Sequence, residues 1–392
     1  MHEGRLVFAQ LMELVPRPAF HRCVRRYHRG RAVRRFSYWD QFLCMVFAQL
    51  TFRGSLRDIE TCLRAVPSRL YHAGIRGKVS RSTLAEANER RDWRIYADFA
   101  QVLIDEARSL YADEPLPGNL PQTAYALDAT TIDLCLTLFP WAQFRRHKSA
   151  VKMHTLIDMQ GNIPTFIRIS SGKMHDTSAL DDLPIEPGAF YVMDRGYIDF
   201  GRLHRFESEK AFFVTRAKKN MDYTRQTSAN VTQEAKDVGV RSDQTIKWRG
   251  AKTATLYPES LRRVSFYDTL NKRRFVFLTN HMSLSALTIA RLYQARWQVE
   301  LFFKWIKQHL RIKSFFGLSS NAVKTQVWIA VSVYVLAAIV RKRLAPHRSL
   351  TEILQVLSLT LFEKTPLFAV FSSDIDANSE GSDHNQLSLF NF

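Results

Sequence analysis

The sequence predicts a mixed α/β (α+β) protein, in which a helical N-terminal domain precedes a core sheet interrupted by a β-rich insertion. Two observations predict this class. Residues 1–115 carry apolar positions at helical spacing, whereas the apolar residues from position 123 onward alternate as they do in strands. Helical stretches separate some of these strands, and a long helix from Ser283 or Ser285 to about Leu310 follows them. Strands that alternate with helices are typical of a mixed sheet.

Helix-start and chain-break signals predict the segment boundaries. Ser55 is predicted to cap one helix, and Ser80 or Ser82 to cap a short basic one. Three prolines and a glycine in "EPLPGNLP" indicate a linker. The predicted segments are a helical N-terminal domain (1–115), a linker (116–122), the first part of the core (123–220), the β-rich insertion (221–282), the second part of the core with the long helix (283–345), a C-terminal helical segment (346–371) and a disordered tail (372–392).

The charge balance indicates an anionic partner. The 392 residues include 56 Lys and Arg against 37 Asp and Glu, which gives a formal net charge of +19. Nucleic acid is the commonest partner of so basic a chain, and an anionic membrane surface is the alternative. The longest apolar run, residues 327–340, is shorter than a typical membrane span. We therefore predict a buried core helix there and no membrane partner.

Cysteine usage and the N-terminus predict a cytoplasmic protein. The four cysteines form no C-x-x-C pair, so neither a zinc site nor a disulfide framework is indicated. The N-terminal residues lack the apolar segment that is typical of a secretion signal. Reduced thiols in an intracellular compartment fit this pattern best.

A polar stripe marks the long helix. Tyr293, Arg296, Glu300 and Lys307 fall within an arc of about 60°, because an α-helix advances about 100° per residue. The other faces of the helix are mostly apolar. One explanation is a solvent face with satisfied ion pairs. The alternative is a functional surface with a carboxylate at its centre.

Two aspartates at strand ends favour the functional alternative. Asp128 follows the apolar strand in "YALDATTIDL", and Asp194 follows the strand in "FYVMDRGY". An aspartate at a strand end is commonly a cap or turn residue. Together with Glu300, however, the two aspartates predict an all-oxygen site that suits Mg²⁺ or Mn²⁺. Two such ions can activate a hydroxyl and stabilise the leaving oxygen in phosphoryl transfer.

These residues resemble a known family. Tyr293, Arg296, Glu300 and Lys307 match the pattern Y-x2-R-x3-E-x6-K without departure. The "LDATTIDL" and "DRGY" motifs precede it in the order Asp, Asp, β-rich insertion, Glu. This arrangement resembles the DDE transposases of bacterial insertion sequences, specifically the insertion sequence 4 family, over roughly residues 120–345.

The resemblance implies a fold, a reaction and residue roles. It implies an RNase H-like core with Asp128, Asp194 and Glu300 as the catalytic, metal-binding triad. It also implies two Mg²⁺ ions, cleavage of the element's ends and strand transfer into target DNA. Tyr293, Arg296 and Lys307 would then contact phosphates near the cut. The implied partners are double-stranded DNA, namely the terminal inverted repeats and the target, and a second copy of the chain in the synaptic complex, all at the bacterial nucleoid.

Two rivals remain open. The first is a metal-dependent endonuclease of the same type that cuts DNA without joining ends. The second is a catalytically inactive DNA-binding regulator, against which the intact triad argues.

Clusters of basic residues predict further DNA contacts. Seven arginines lie between Arg22 and Arg35 among aromatic residues, which favours contact with a DNA backbone over a merely solvated face. The helix after Ser80 is a candidate recognition helix, although a capped surface helix would have the same pattern. A hairpin near position 147 tracks phosphates or is simply solvated. The candidate contacts are Arg25, Arg26, Arg34, Arg35, Arg81, Arg145, Arg146, Lys148 and Lys152.

Two further segments suggest specific contacts. Trp248, in the β-rich insertion, is either a core residue or an aromatic side chain that stacks on a flipped base. The C-terminal "QLSLF" resembles the short peptide that binds the bacterial replication sliding clamp, with Gln386, Leu387, Leu389 and Phe390 as its contact residues. The alternative is that this segment docks on its own domain.

Overall fold

The protein is described from a computed structural model that covers residues 4–28, 30, 33, 35–116, 118, 120–146, 148–269, 272–312 and 314–372. Predicted contacts at Arg34 and in the C-terminal "QLSLF" lie outside these residues. The described chain forms two compact units. The first contains the chain up to Ala112, Thr131–Val151 and the chain from Phe303 onward. The second contains Asp113–Thr130 and Lys152–Phe302.

The elements are numbered in chain order. The α-helices are α1 (Val7–Glu13), α2 (Arg17–Tyr27), α3 (Tyr38–Leu50), α4 (Leu56–Arg64), α5 (Pro67–Leu70), α6 (Arg81–Arg90), α7 (Arg94–Tyr111), α8 (Phe200–Ser208), α9 (Gln233–Val238), α10 (Ala251–Leu256), α11 (Ala286–Ala295), α12 (Trp297–His309), α13 (Ser320–Leu344), α14 (Leu350–Thr360) and α15 (Leu367–Ser372). The strands are β1 (Ala124–Leu134), β2 (Gln143–Arg145), β3 (Lys148–Asp158), β4 (Ile163–Ser171), β5 (Phe190–Met193), β6 (Phe212–Arg216), β7 (Tyr223–Ala229), β8 (Val240–Trp248), β9 (Leu261–Asp268) and β10 (Arg273–Thr279). Short 3₁₀ helices span Pro140–Ala142, Asp176–Asp182 and Arg195–Tyr197.

The first unit is built around helix α13. This helix packs against α7, α3, α6 and α14, and nearly all its residues from Ala322 to Val340 are buried. The hydroxyl of Tyr111 on α7 donates to the carbonyl of Ala338 at 2.9 Å. In the described part of the chain, α13 alone is long and apolar enough to cross a membrane, and 94% of its most apolar window is buried inside the protein. The buried core helix predicted for residues 327–340 is therefore present.

Serine side chains begin several helices, as the sequence predicts. The Ser55 hydroxyl accepts the backbone N–H of Asp58, and the Ser80 hydroxyl accepts that of Thr83. Ser285, not Ser283, caps α11 by accepting the N–H of Thr288. Each hydroxyl satisfies a backbone donor that the first turn of a helix otherwise leaves unpaired.

The second unit is built on a mixed sheet. Its strand order is β2-β3-β1-β5-β6-β10-β9-β8-β7, and β4 also pairs with β3. Strand β5 is parallel to both β1 and β6. Beyond β6, the pairs β6–β10, β10–β9, β9–β8 and β8–β7 are all antiparallel. The pairing of β4 with β3, followed by β1, β5 and β6, is that of an RNase H-like core, and β10, β9, β8 and β7 extend the sheet as a β-rich insertion. The predicted fold class is therefore confirmed.

An ion pair buried in the insertion holds the chain that enters α11. The Arg262 guanidinium, on β9, bonds to both carboxylate oxygens of Asp243 on β8, at 2.8 and 2.6 Å. It also donates to the carbonyls of Met282 and Leu284, which lead directly into α11. Arg262 is only 10% exposed, so these bonds are shielded from water. The insertion thus fixes the start of the helix that carries Tyr293.

Three element predictions are wrong. Residues 251–256, inside the predicted β-rich insertion, form helix α10, which packs on α8 and β8. Asp128 lies in the middle of the continuous strand β1 and not at a strand end. The predicted long helix is two helices, α11 and α12, because the N–H of Arg296 bonds to the carbonyl of Tyr293 in a tightened turn. Such 3₁₀ turns interrupt an α-helix locally.

Candidate active site

Strand register brings two of the predicted acidic residues together. Strands β1 and β5 are parallel, with Leu127 opposite Met193. Asp128 and Asp194 are the next residues along each strand. Equivalent positions on parallel neighbours lie side by side, so the two aspartates are adjacent where the pairing of β1 with β5 stops. Asp194 follows the end of β5 as predicted, but Asp128 lies in the middle of β1, which continues to Leu134.

The junction of α11 and α12 supplies the third carboxylate and the groups that bind all three. Arg296 donates through Nη1 to Asp128 Oδ2 at 2.6 Å and through Nη2 to Glu300 Oε1 at 2.5 Å. The Tyr293 hydroxyl donates to Asp194 Oδ1 at 3.0 Å. The Arg296 side chain is 13% exposed, so its two ion pairs are mostly shielded from solvent. All five side chains belong to the second unit.

Arg216 is a site residue that the sequence analysis missed. Its Nη2 lies 3.5 Å from Asp194 Oδ1. Strands β5 and β6 are parallel with Met193 opposite Thr215, so Arg216 is the next residue beside Asp194. The only signal in the sequence is an arginine at the end of an apolar strand, and it becomes informative once this register is known.

The two aspartates differ in their electrostatics. Burial raises the pKa of the Asp128 carboxyl to about 6, although the Arg296 guanidinium opposes the shift. Burial acts in the same direction on Asp194. There the backbone N–H of Arg195, the Arg216 guanidinium and the Tyr293 hydroxyl together outweigh it and hold the pKa below its usual value. Burial also raises the pKa of Tyr293 to about 12, so its hydroxyl keeps its proton as a donor.

The raised pKa of Asp128 predicts a pH-dependent stability. The folded state binds the proton of the Asp128 carboxyl more tightly than the unfolded state does, with a pKa of about 6 against the usual 3.8. The stability that this proton contributes is therefore complete below pH 3.8. That contribution is lost as the pH rises through about 6. Relative to Asp128→Asn, which cannot titrate, the wild-type free energy of unfolding should fall by roughly 2–3 kcal/mol over this range. Urea unfolding of both proteins without divalent metal measures the difference in their free energies of unfolding at each pH. A difference that does not change with pH would contradict the prediction.

A polar cluster lies beside the aspartates. Tyr197, in the turn after Asp194, is buried, and burial followed by the nearby Asp128 charge raises the pKa of its hydroxyl well above the usual value. Its oxygen lies 3.3 Å from Nδ1 of His154, whose pKa burial lowers to about 4. Lys152 donates to Asp176 at 2.9 Å beside this pair. His154 and Tyr197 are therefore neutral polar groups beside the aspartates, and Lys152 is paired with Asp176.

The donor set suits a hard divalent cation, but its present arrangement is not a finished metal site. Carboxylate oxygens are the ligands that Mg²⁺ and Mn²⁺ prefer, and one cation, the Arg296 guanidinium, already bridges Asp128 and Glu300. Among the described residues, no three His, Cys, Asp or Glu side chains are grouped closely enough to hold an ion together. A metal ion between Asp128 and Glu300 therefore requires Arg296 to move.

Comparison with known families identifies the chain. The model of the family described as "Transposase DDE domain" matches residues 119–336, which include both aspartates and Glu300. The chain belongs to the DDE transposase family. Members of this family typically use divalent metal ions. A second model, "Domain of unknown function (DUF4372)", matches residues 3–76 of the transposase.

Individual relatives agree with this assignment. The transposase is 31% identical to a Sinorhizobium fredii protein that bears a transposase name (y4zB), over 73% of this chain and 79% of that protein. It is also 31% identical to a Geobacillus stearothermophilus protein named as a transposase for insertion sequence element IS5377, over 56% of each chain. A cryo-EM structure of a piggyBac transposase synaptic complex with hairpin DNA has a TM-score of 0.45 at 11% identity and covers 95% of this chain and 86% of that one. The fold assignment rests on the strand order.

The remaining predicted DNA contacts of the transposase fall into two groups: residues that are bonded or buried within the protein, and residues that are exposed to solvent. Lys307 belongs to the first unit, where its Nζ donates to the carbonyl of Thr131 at 3.0 Å. Lys152 is paired with Asp176, and Trp248 is 6% exposed and packs against Phe200 with ring centroids 4.5 Å apart. The structure therefore favours the core alternative for Trp248. The exposed residues are Arg25, Arg26, Arg35, Arg81, Arg145, Arg146 and Lys148.

Some of these exposed residues have partners of their own. Arg26, at the end of α2, forms an ion pair with Asp98 on α7. The Arg145 guanidinium lies 5.1 Å from the ring centroid of Phe144. Arg81 begins α6, directly after the Ser80 cap. Neither contact at Arg26 or Arg145 buries the charge, so both remain accessible to a phosphate.

Proposed function

We propose that this transposase cuts the ends of its insertion sequence and joins them to target DNA, with Asp128, Asp194 and Glu300 as catalytic residues. The observation that supports this most directly is the Arg296 guanidinium, which is ion-paired with Asp128 and Glu300 at the same time. Asp194 lies on the strand beside Asp128. Two of the three acidic residues thus meet at one guanidinium, and the third lies beside Asp128 in the same compact unit.

We propose that these carboxylates hold two divalent ions, Mg²⁺ or Mn²⁺. Ions held by Asp128, Asp194 and Glu300 would activate the attacking hydroxyl and stabilise the leaving oxygen of a phosphodiester. In the cutting step, a water oxygen bonds to phosphorus while the bond to the 3′ oxygen breaks, which leaves a free 3′ hydroxyl on the element. In the joining step, that hydroxyl bonds to a target phosphorus and displaces the target's 3′ oxygen. Each step makes one P–O bond and breaks one.

We assign the phosphate contacts near the cut to Tyr293, Arg296 and Lys307. A phenol, a guanidinium and an ammonium are all phosphate donors. Their spacing around Glu300 matches the Y-x2-R-x3-E-x6-K pattern, which supports membership of the insertion sequence 4 family. Arg216, beside Asp194, has the same chemistry and is added to this set.

We further propose that the helical domain 1–115 binds the element's double-stranded ends and that two copies of the chain bring the ends together. The exposed arginines Arg25, Arg26, Arg35 and Arg81 support this assignment, because backbone contacts by arginine dominate non-specific DNA affinity. Arg145, Arg146 and Lys148, exposed around β2 and β3, are proposed to contact a phosphate chain.

A joining assay tests the proposed function. The full-length protein is incubated with Mg²⁺, supercoiled target DNA and a labelled duplex from the DNA that flanks its own gene. We expect nicking at the element boundary and covalent transfer of the labelled 3′ end to the target. Nicking without transfer indicates the endonuclease alternative, and DNA binding without nicking indicates the regulator.

We also propose that the C-terminal "QLSLF" binds the bacterial replication sliding clamp through Gln386, Leu387, Leu389 and Phe390. A glutamine followed by apolar anchors suits an apolar pocket. Deleting residues 385–392 should abolish capture of the transposase by immobilised clamp and leave DNA cleavage unchanged. Unchanged capture by the shortened protein would refute this proposal.

A further inference from the structure

The groups proposed to bind phosphate are bonded, in the structure, to the carboxylates proposed to hold metal. Arg296 engages Asp128 and Glu300 together, and Tyr293 engages Asp194. Arg216 also approaches Asp194, at 3.5 Å. Every carboxylate of the triad therefore has a hydrogen-bond donor from this set.

Arg296 and a divalent cation compete for the same oxygen atoms. Its bonds to Asp128 Oδ2 and Glu300 Oε1, at 2.6 and 2.5 Å, are short, charge-assisted and mostly shielded from water. A metal ion between these carboxylates needs the same lone pairs and repels the guanidinium, so the two cannot be bound there together.

The bonded position of Arg296 also leaves a donor unused. Its Nε–H is buried and has no hydrogen-bond partner among the described residues, and the same is true of Arg216. Buried donors without acceptors are uncommon and costly. A phosphate oxygen near the triad is an acceptor of suitable charge for both arginines, so DNA offers Arg296 an alternative anion.

We propose that Arg296 is an internal counter-ion that occupies Asp128 and Glu300 until a DNA phosphate draws it away, so that DNA and divalent metal bind cooperatively. This inference rests on the proposed function, because it requires those carboxylates to be metal ligands. Cooperativity of this kind is reciprocal: DNA tightens metal binding by the same factor by which metal tightens DNA binding. The free protein would then bind metal weakly and assemble its site only on DNA.

Manganese binding with and without DNA tests the proposal. Free Mn²⁺ is measured by electron paramagnetic resonance with the full-length protein, alone and with a pre-cleaved duplex from the element's end that carries a 3′-dideoxy terminus. Without DNA, Arg296→Gln should bind Mn²⁺ at least about tenfold more tightly than the wild type, because a competing pair of charge-assisted bonds is gone. With DNA, this difference should largely disappear. Arg296→Lys keeps the charge but not the planar guanidinium, so without DNA its Mn²⁺ affinity should lie between those of the wild type and Arg296→Gln.

Matched variants distinguish the outcomes. Arg291→Gln removes an exposed arginine from α11, the helix that ends just before Arg296, and should behave as the wild type. Circular dichroism and melting temperature establish that each variant is folded. Equal or weaker Mn²⁺ binding by Arg296→Gln without DNA would overturn the counter-ion proposal. If Asp128→Asn binds Mn²⁺ as well as the wild type does on DNA, the metal site of the proposed function is wrong instead.

Discussion

Glu300→Gln is expected to lower Mg²⁺-dependent nicking of element-end DNA by at least about a thousandfold, as removal of a group that acts with others in one catalytic unit commonly does. Glutamine keeps the length of the side chain and an oxygen that can accept from Arg296, but it removes the charge that would hold a cation. The loss should therefore appear in the rate of nicking, while the affinity for DNA stays within about twofold because no phosphate donor is removed.

The measurement pairs a nicking time course with a DNA-binding titration on the same preparations. Glu234→Gln, which changes an exposed carboxylate at the start of α9, is the matched control and should keep wild-type nicking. Nicking by Glu300→Gln at a rate near that of the wild type would show that Glu300 is not a catalytic residue.

Arg262→Met should lower the free energy of unfolding by about 3 kcal/mol or more, because it leaves the Asp243 carboxylate buried without its partner. The same change releases the carbonyls of Met282 and Leu284, which precede α11. We therefore also expect reduced nicking under conditions in which the variant remains folded.

A double variant separates these effects. Arg262→Met with Asp243→Leu removes both charges and should recover much of the lost stability, because replacing a buried pair by apolar side chains is often close to neutral. Arg273→Met, at an exposed position on β10, is the control for loss of an arginine from the insertion. The free energies of unfolding are measured with urea. If Arg262→Met lowers the free energy of unfolding by less than about 1 kcal/mol, the ion pair contributes little to stability.

The acidic residues could be predicted from sequence because their positions follow from local rules. Asp194 directly follows an apolar strand, and Glu300 lies on a polar stripe of a helix whose other faces are apolar. Asp128 follows the apolar first part of β1, although it lies in the middle of that strand and not at its end. Helix starts were predictable for a similar reason, since the serine caps at Ser55 and Ser80 need only the next three residues.

Features that depend on distant partners could not be predicted. Arg216 joins the site only through the register of β5 with β6, which no local pattern specifies. Residues 251–256 form a helix because they pack on α8 and β8, despite a strand-like composition. The turn at Arg296 likewise coincides with its bonds to Asp128 and Glu300, and the first of these partners lies far away in sequence.

The short strand β5 leaves no spare residue between the buried core and the acidic residues. Its four residues, Phe190 to Met193, are all apolar and all buried, and Asp194 follows them directly. Losing one of these codons would bring Asp194 to the buried place of Met193 and Arg195 to the place of Asp194, which reverses the charge beside Asp128. A carboxylate that is buried without a partner also lowers stability. We therefore expect gene copies damaged in this way to encode proteins that cannot cut DNA and that fold less stably than the intact protein.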